Sequence, residues 1–225
     1  MNATQQKFDP ECWTPTGSRV HMVGIGGCGM CGAAEVLLRR GAVVSGSDCH
    51  RSTASESLSC HGASISIGQR AENVPEQCDL VVHSAAVKES NPELGEARRR
   101  GLPVLKYSQL LGLLMAERTG LAIAGTHGKS TTTAMTSYVL RKASLDPSYV
   151  IGAVVDQLGG GSGVGDGEHF VVEACEYDRS YLNLRPKLAA ILNIEEDHLD
   201  YYNDLADITE SFADFTNLVP SDGVL

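Results

Sequence analysis

Two glycine-rich turns, about a hundred residues apart, carry the chemistry that this sequence announces. The first is Gly24-Ile25-Gly26-Gly27-Cys28-Gly29, directly after the mostly apolar run Val20-His21-Met22-Val23. The second is Gly125-Thr126-His127-Gly128-Lys129-Ser130, after Leu121-Ala122-Ile123-Ala124. Each has the order strand, tight turn, helix, in which backbone N–H groups and a helix N-terminus can hold an anion. Only the second adds a lysine that can reach the β- and γ-phosphates of a triphosphate, Lys129, and a hydroxyl that can meet Mg²⁺, Ser130. Gly125, Thr126, His127, Gly128, Lys129, Ser130 and Thr131 are therefore the candidate ATP-binding residues. The usual P-loop has its first glycine where this chain has Ile123, so the pattern is met in part.

The first turn fits G-x-G-x-x-G through Gly24, Gly26 and Gly29, and Asp48 follows Gly29 by 19 residues. That is the spacing at which a dinucleotide fold sets an acid against a ribose hydroxyl. The pattern does not distinguish NAD from another nucleotide, and a tight strand-to-helix turn alone would also select glycine. Two acidic clusters end apolar runs further on: Glu173 to Asp178, and Glu195-Glu196-Asp197-His198. In an open α/β sheet the C-terminal ends of strands face the ligand crevice, so both clusters are expected beside the phosphates. A carboxylate and an imidazole there could hold a magnesium ion that bridges ATP oxygens. Taken singly, Glu176, Glu195 and Glu196 read as solvated loop acids, and His198 could equally be a capping residue.

The remaining text must position these turns. Short apolar runs alternate with amphipathic stretches from Arg19 onward, the pattern of an α/β fold with a parallel sheet. Strands are expected at 20–25, 43–47, 80–83, 104–106, 149–151, 170–174 and 188–192. Helices are expected at 30–40, 52–60, 92–100, 129–142 and 205–218, with another at 109–118 capped by Ser108. The rhythm restarts at Leu121, so Thr119-Gly120 marks an expected boundary. Residues 1–18 read as a loose arm, and the glycine run 159–167 as a flexible loop forming a mobile surface hairpin. Val224-Leu225 reads as the start of a strand.

Bulk properties narrow the field. The 225 residues suffice for one large or two modest domains. Eighteen basic against 28 acidic residues, a net charge of −10, argue against a nucleic-acid or anionic-membrane binder. No apolar stretch has the length of a membrane span, and the polar start 1–7 does not read as a signal peptide, so a cytoplasmic setting is expected. Seven cysteines, an odd number without framework spacing, suggest reduced thiols. Cys28 and Cys31 have CxxC spacing, but no second pair follows. They read as small residues in the turn rather than as a zinc or redox site.

Taken together, Gly24-Ile25-Gly26-Gly27-x-Gly29-Met30, Ser45-Gly46-Ser47-Asp48, Gly125-Thr126-His127-Gly128-Lys129 and Asn193-Ile194-Glu195-x-Asp197-His198-x-Asp200 resemble the Mur ligases. Ser84-Ala85-Ala86-Val87 and Asn91-Pro92-Glu93 resemble that family's first domain. The resemblance runs from Arg19 to the end and is closest to the branch that adds the first amino acid of the peptidoglycan stem. It implies a Rossmann-like UDP-sugar-binding domain at 19–119 and part of a P-loop ATP-binding central domain at 120–225. It also implies ATP-dependent ligation of L-alanine to the muramate carboxylate of UDP-N-acetylmuramate through an acyl phosphate. Lys129 and His198 would be catalytic; Ser130 and Glu173 would hold one Mg²⁺ and His198 a second. Gly24, Gly26, Gly27, Gly29, Asp48, His83 and Ser84 would bind the UDP part. Alanine and serine are usual in the family where this chain has Cys28 and Cys31. Against a three-domain family plan the chain is expected to stop within the second domain, and so to bind a UDP-sugar without turnover. A NAD(P)-dependent oxidoreductase, resting on Gly24–Gly29 and Asp48 alone, and a ligase of pre-formed peptide are the alternatives. The oligomeric state is left open by the sequence.

Overall fold

In a computed structural model, which describes residues 8–10 and 12–225, the chain forms two five-stranded sheets. The first holds β1 (Arg19–Val23), β2 (Val43–Asp48), β3 (Ser64–Ile67), β4 (Leu80–His83) and β5 (Val104–Lys106) in the order β3-β2-β1-β4-β5. All of its pairings are parallel. Its helices are α1 (Cys28–Arg39), α2 (Thr53–Cys60), α3 (Pro92–Arg99) and α4 (Tyr107–Ala116). This is the Rossmann-like, doubly wound order expected, with the strand order reversing between β1 and β4, where such sheets open a crevice. Val23 pairs with both Ser47 and His83, which sets Gly24, Asp48 and Ser84 side by side at the strand ends.

Local chemistry explains the helix starts. Ser52 caps α2 by accepting from Ser55 N, and Asn91 caps α3 by accepting from Glu93 N ahead of a first-turn proline. On α1, Met30, Ala33, Ala34, Val36 and Leu37 are buried, the recurring face that the sequence pattern marks. β3 lies outside the expectations: four residues, Ser-Ile-Ser-Ile, on a sheet edge give too short an alternation to read.

The second sheet holds β6 (Thr119–Ala124), β7 (Ser148–Val155), β8 (Gly160–Gly163), β9 (His169–Glu173) and β10 (Leu188–Ile191), in the order β10-β6-β9-β7-β8. Only β7–β8 pairs antiparallel. Its helices are α5 (Lys129–Lys142) and α6 (Leu205–Thr216). Val224 pairs with Leu188, as expected of a strand start.

Thr119 and Gly120 open β6 in the second sheet, at the expected restart of the rhythm. Three expectations are corrected. Helix α4 begins at Tyr107, and Ser108, instead of capping it, is buried inside it and accepts from Asn183 Nδ2 at 3.1 Å. The arm is not loose where it is described: Phe8 and Trp13 pack on the core, and Gly17 N donates to Gly41 O. Residues 1–7 and 11, including the polar start, lie outside the described residues.

The third correction concerns the glycine run 159–167: it forms the expected hairpin, β8 pairing with β7, but packs against α1 instead of standing on the surface. A Cβ on Gly161 would lie 2.8 Å from Cys28 Sγ, and one on Gly32 would lie 2.7 Å from Ser162 Cβ. The absent side chains permit a close approach of two elements. One apolar cluster accordingly runs through both sheets, from Met22 and Leu37 to Val150 and Phe170.

Beneath the first crevice lies a buried polar network that the sequence did not single out. His21, Ser47 and Glu93 are fully buried. Glu93 Oε2 lies 2.9 Å from His21 Nε2 and accepts from Ser47 Oγ at 2.7 Å, while Oε1 accepts from Arg70 N and Asn73 Nδ2. Burial pushes this carboxyl up, and the hydrogen bonds from His21, Ser47 and Asn73 outweigh it, holding it below the ordinary range. Asn91 Nδ2 also donates to Gln69 Oε1, so the network braces two segments of the cleft wall.

Candidate active site

The first crevice has a volume of 660 Å³ and is lined by Gly24, Gly26, Gly27, Asp48 and Ser84, among others. Gly24 has φ +80°, and a Cβ there would lie 3.2 Å from Ser84 Cβ, so both its backbone and its neighbour require glycine. Asp48 has an unexpected partner: its Oδ2 accepts from Gly26 N at 2.8 Å, and Oδ1 from His50 N at 3.2 Å. In this state the carboxylate ties down the turn.

Two of the candidate residues stand elsewhere. Gly29 packs where a Cβ would lie 2.4 Å from Tyr107 Oη, so its role is close approach of α1 and α4. His83 is 7% exposed, with Nδ1 3.0 Å from Ser84 O, and lies off the cleft lining. Gln69, Lys88 and Asn91 do line it; no spacing signal marks Lys88, the added cation.

The second turn follows β6. Gly125 and Gly128 have φ +136° and +83°, and Gly128 precedes the first residue of α5. Lys129 folds back over the turn, and its Nζ donates to Gly125 O at 2.7 Å, Thr126 O at 2.9 Å and Glu176 Oε1 at 2.8 Å. Asn193 clamps the turn from β10's end, accepting from His127 N at 2.8 Å and donating to His127 O at 3.1 Å. Thr126 Oγ1 accepts from Glu195 N at 2.9 Å. Ser130 Oγ donates to Glu173 Oε1 at 3.0 Å, and Glu173 Oε2 accepts from Gly152 N at 2.7 Å. Ser130 and Thr131 also border a 520 Å³ groove between α5 and the segment 153–158.

Glu176 corrects the sequence reading. It is 2% exposed, pairs with Lys129, and its Oε2 has no hydrogen-bond partner. The chain turns sharply after it, with Asp178 and Arg179 at φ +55° and +50°. Glu195 and Glu196 are exposed, as expected of solvated loop acids. His198, at φ +52°, sets Nε2 3.9 Å from Glu176 Oε1, and its ring meets Tyr177 edge-on at 5.0 Å. Atoms of Glu176, Asp197 and His198 that could bind a metal lie within 4.8 Å of one another. The structure therefore pairs Ser130 with Glu173, and brings both Lys129 and His198 to Glu176.

A doubly wound sheet with a crevice where its strand order reverses, joined through a shared apolar core to a second sheet whose first turn carries a lysine, a hydroxyl and a nearby carboxylate, defines a two-sheet α/β fold. The family comparisons agree: residues 19–119 match the Mur ligase family, catalytic domain, and residues 123–225 match the Mur ligase middle domain. The chain belongs to the Mur ligase family. It is 45% identical over 207 residues to the UDP-N-acetylmuramate--L-alanine ligase of Lachnospira eligens, covering 92% of this chain and 45% of the relative. It is 48% identical over 205 residues to the enzyme of the same name from Syntrophotalea carbinolica, covering 91% and 44%. The chain thus spans about half the length of these relatives. Among solved structures, UDP-N-acetylmuramate:L-alanyl-gamma-D-glutamyl-meso-diaminopimelate ligase from Neisseria meningitides superposes with TM-score 0.85 at 30% identity, covering 93% of this chain and 71% of that one. UDP-N-acetylmuramate-alanine ligase MurC from Thermotoga maritima gives 0.82 at 31%, covering 92% and 48%. This membership sets aside the oxidoreductase alternative. Among the described residues no helix is long and apolar enough to cross a membrane.

Proposed function

We propose that this chain supplies the nucleotide and phosphoryl-transfer machinery of an ATP-dependent ligase that joins L-alanine to the carboxylate of UDP-N-acetylmuramate in the cytoplasm. The observation that carries the reading is the turn at 125–130, where Lys129 meets Glu176, which His198 approaches to 3.9 Å, and the next residue, Ser130, meets Glu173. In the proposed division, 19–119 binds the UDP-sugar and 120–225 binds ATP. Gly24, Gly26, Gly27 and Ser84 wall the UDP site. Asp48 would release Gly26 N to a phosphate or ribose oxygen, while Gly29 and His83 act from behind the wall.

Phosphorylation of a carboxylate gathers negative charge on the transferred group and on the attacking oxygen, so positioning and charge stabilisation supply the catalysis. Lys129 would leave Glu176 for the β- and γ-phosphate oxygens, and the backbone N–H groups of 126–130 would hold the remainder. The hydroxyl of Ser130 and the carboxylate of Glu173 form a pair of hard oxygen donors at one side of the phosphate turn, which suits Mg²⁺. His198, beside the unpartnered Glu176 Oε2, is the candidate for a second ion. Bound there, Mg²⁺ would neutralise charge that develops on the phosphoryl and carboxylate oxygens.

Titration calorimetry of the 225-residue chain tests the reading. UDP-N-acetylmuramate is expected to bind with and without Lys129→Met, whereas ATP with Mg²⁺ binds only the wild type. Loss of both ligands from the wild type would overturn it. The likeness to the Neisseria meningitides ligase supports a second reading, in which the acceptor is a pre-formed peptide. Ligation assays on the full-length protein, with L-alanine against tripeptide, separate the two.

A further inference from the structure

We infer that Cys28 and Cys31 form an oxidisable dithiol, a site at which a small-molecule disulfide installs an internal bond across the first turn of α1. Cys28 is the first residue of α1 and Cys31 stands one turn later, so the two side chains share a helix face. Cys28 is exposed and Cys31 half-buried, which makes one the accessible thiol and the other its enclosed partner. Cys28 Sγ lies 3.7 Å from Ile151 O in β7, and Cys31 Sγ lies 3.0 Å from Ile25 O in the glycine turn. The pair thus sits between the second sheet and the cleft wall.

The exchange balances in two steps. The Cys28 thiolate attacks one sulfur of the small disulfide, forming a mixed disulfide and releasing one thiolate. The Cys31 thiol then loses its proton and attacks Cys28 Sγ, closing the internal bond and releasing the second thiolate. The second step is the slow one. Burial, with the negative charges of Cys28, Asp48 and Glu35 added, pushes the Cys31 thiol up to about 11. Capping Cys28 in the mixed disulfide removes one of these charges, which favours the step that follows.

Closure must move the backbone. Residues three apart on a helix have Cβ atoms about 5–6 Å apart, and a disulfide requires about 3.5–4.5 Å. Gly27, exposed and just ahead of Cys28, carries no Cβ to resist tightening of the turn. As Cys28 turns inward it leaves Ile151 O, and the amides of Gly26 and Gly27 shift with it. Accepting the reading of the cleft as a UDP-sugar site, the oxidised chain binds that ligand more weakly.

Oxidised glutathione tests this on the 225-residue chain. Trypsin releases Val20–Arg39, which contains Cys28 and Cys31 and no other cysteine. After treatment and alkylation, this peptide is expected unlabelled, free of glutathione, about 2 Da lighter, and restored by dithiothreitol. Closure is expected to quicken from pH 7 to pH 9 as Cys31 deprotonates, about tenfold per unit. Cys31→Ser is expected to stop with glutathione on Cys28. Glutathione on both cysteines, or two alkylated thiols, overturns the dithiol. Calorimetry gives the second readout: UDP-N-acetylmuramate binding falls about tenfold on oxidation of the wild type but not of the Cys28→Ser/Cys31→Ser variant. An equal fall in that variant assigns the effect to another thiol, such as Cys49 in the cleft, and overturns the coupling. Failure of the reduced wild type to bind would strike the UDP reading alone, since the peptide map does not depend on it.

Discussion

Replacing Lys129 with methionine should destabilise the folded chain before any nucleotide is present. The lysine side chain is 13% exposed and that of Glu176 3%, so their 2.8 Å contact is a buried ion pair. Methionine preserves the stem and leaves no large cavity, which isolates the loss of charge. Among the described residues Glu176 then has only His198, at 3.9 Å, as an ion-pair partner, and the carbonyls of Gly125 and Thr126 lose their shared donor. Removing one partner of a buried pair costs about 3–5 kcal/mol, because the other charge stays buried and uncompensated. For a chain of this size that corresponds to a fall in Tm of about 6–20 °C. Adding Glu176→Gln removes the stranded charge, so the double variant should be more stable than Lys129→Met alone, with a coupling of about 1–3 kcal/mol. Thermal and urea unfolding of the four proteins, followed by far-UV circular dichroism, measure this. Equal stability of wild type and Lys129→Met, or no recovery in the double variant, would refute the argument that Glu176 holds Lys129.

The other expectations concern pH, packing and metal. The Glu93 carboxyl is held low in the fold, so its contribution is present above its unfolded value of about 4.3 and is lost as pH falls through the lower folded value; Glu93→Gln should flatten the stability–pH curve in that acid range. Gly112→Ala should destabilise by about 1–3 kcal/mol, since its Cβ would lie 2.0 Å from Asn183 O. That clash exceeds the helix preference of about 1 kcal/mol for alanine. Gly95→Ala on α3, with nothing within 4 Å, should stabilise by up to about 1 kcal/mol, and denaturant midpoints check both. In the full-length protein, His198→Ala should raise the Mg²⁺ required for activity more than it weakens ATP binding; an unchanged magnesium titration would leave His198 a structural residue.

Period and punctuation alone located the two turns, the helices that follow them and most of the strands. These are local properties: apolar alternation, a proline at a first helical turn and a glycine at positive φ are written in neighbouring residues. The placement of Lys129 and Ser130 at a helix start was legible for the same reason. What touches what was decided by tertiary structure. Glu176 reads as a loop acid until the sharp bend at 178–179 brings it to Lys129, and Glu93 reads as a first-turn acid until β1 and β2 present His21 and Ser47 to it. The glycines at 159–167 carry a composition typical of mobile loops, yet here they permit α1 to approach β8, because a missing Cβ serves flexibility and close packing equally. Asp48 was placed by its spacing from Gly29, but its hold on Gly26 N depends on β1 and β2 ending together. Side-chain partners come from strands distant in the chain, and that information resides in the packing rather than in any window of sequence.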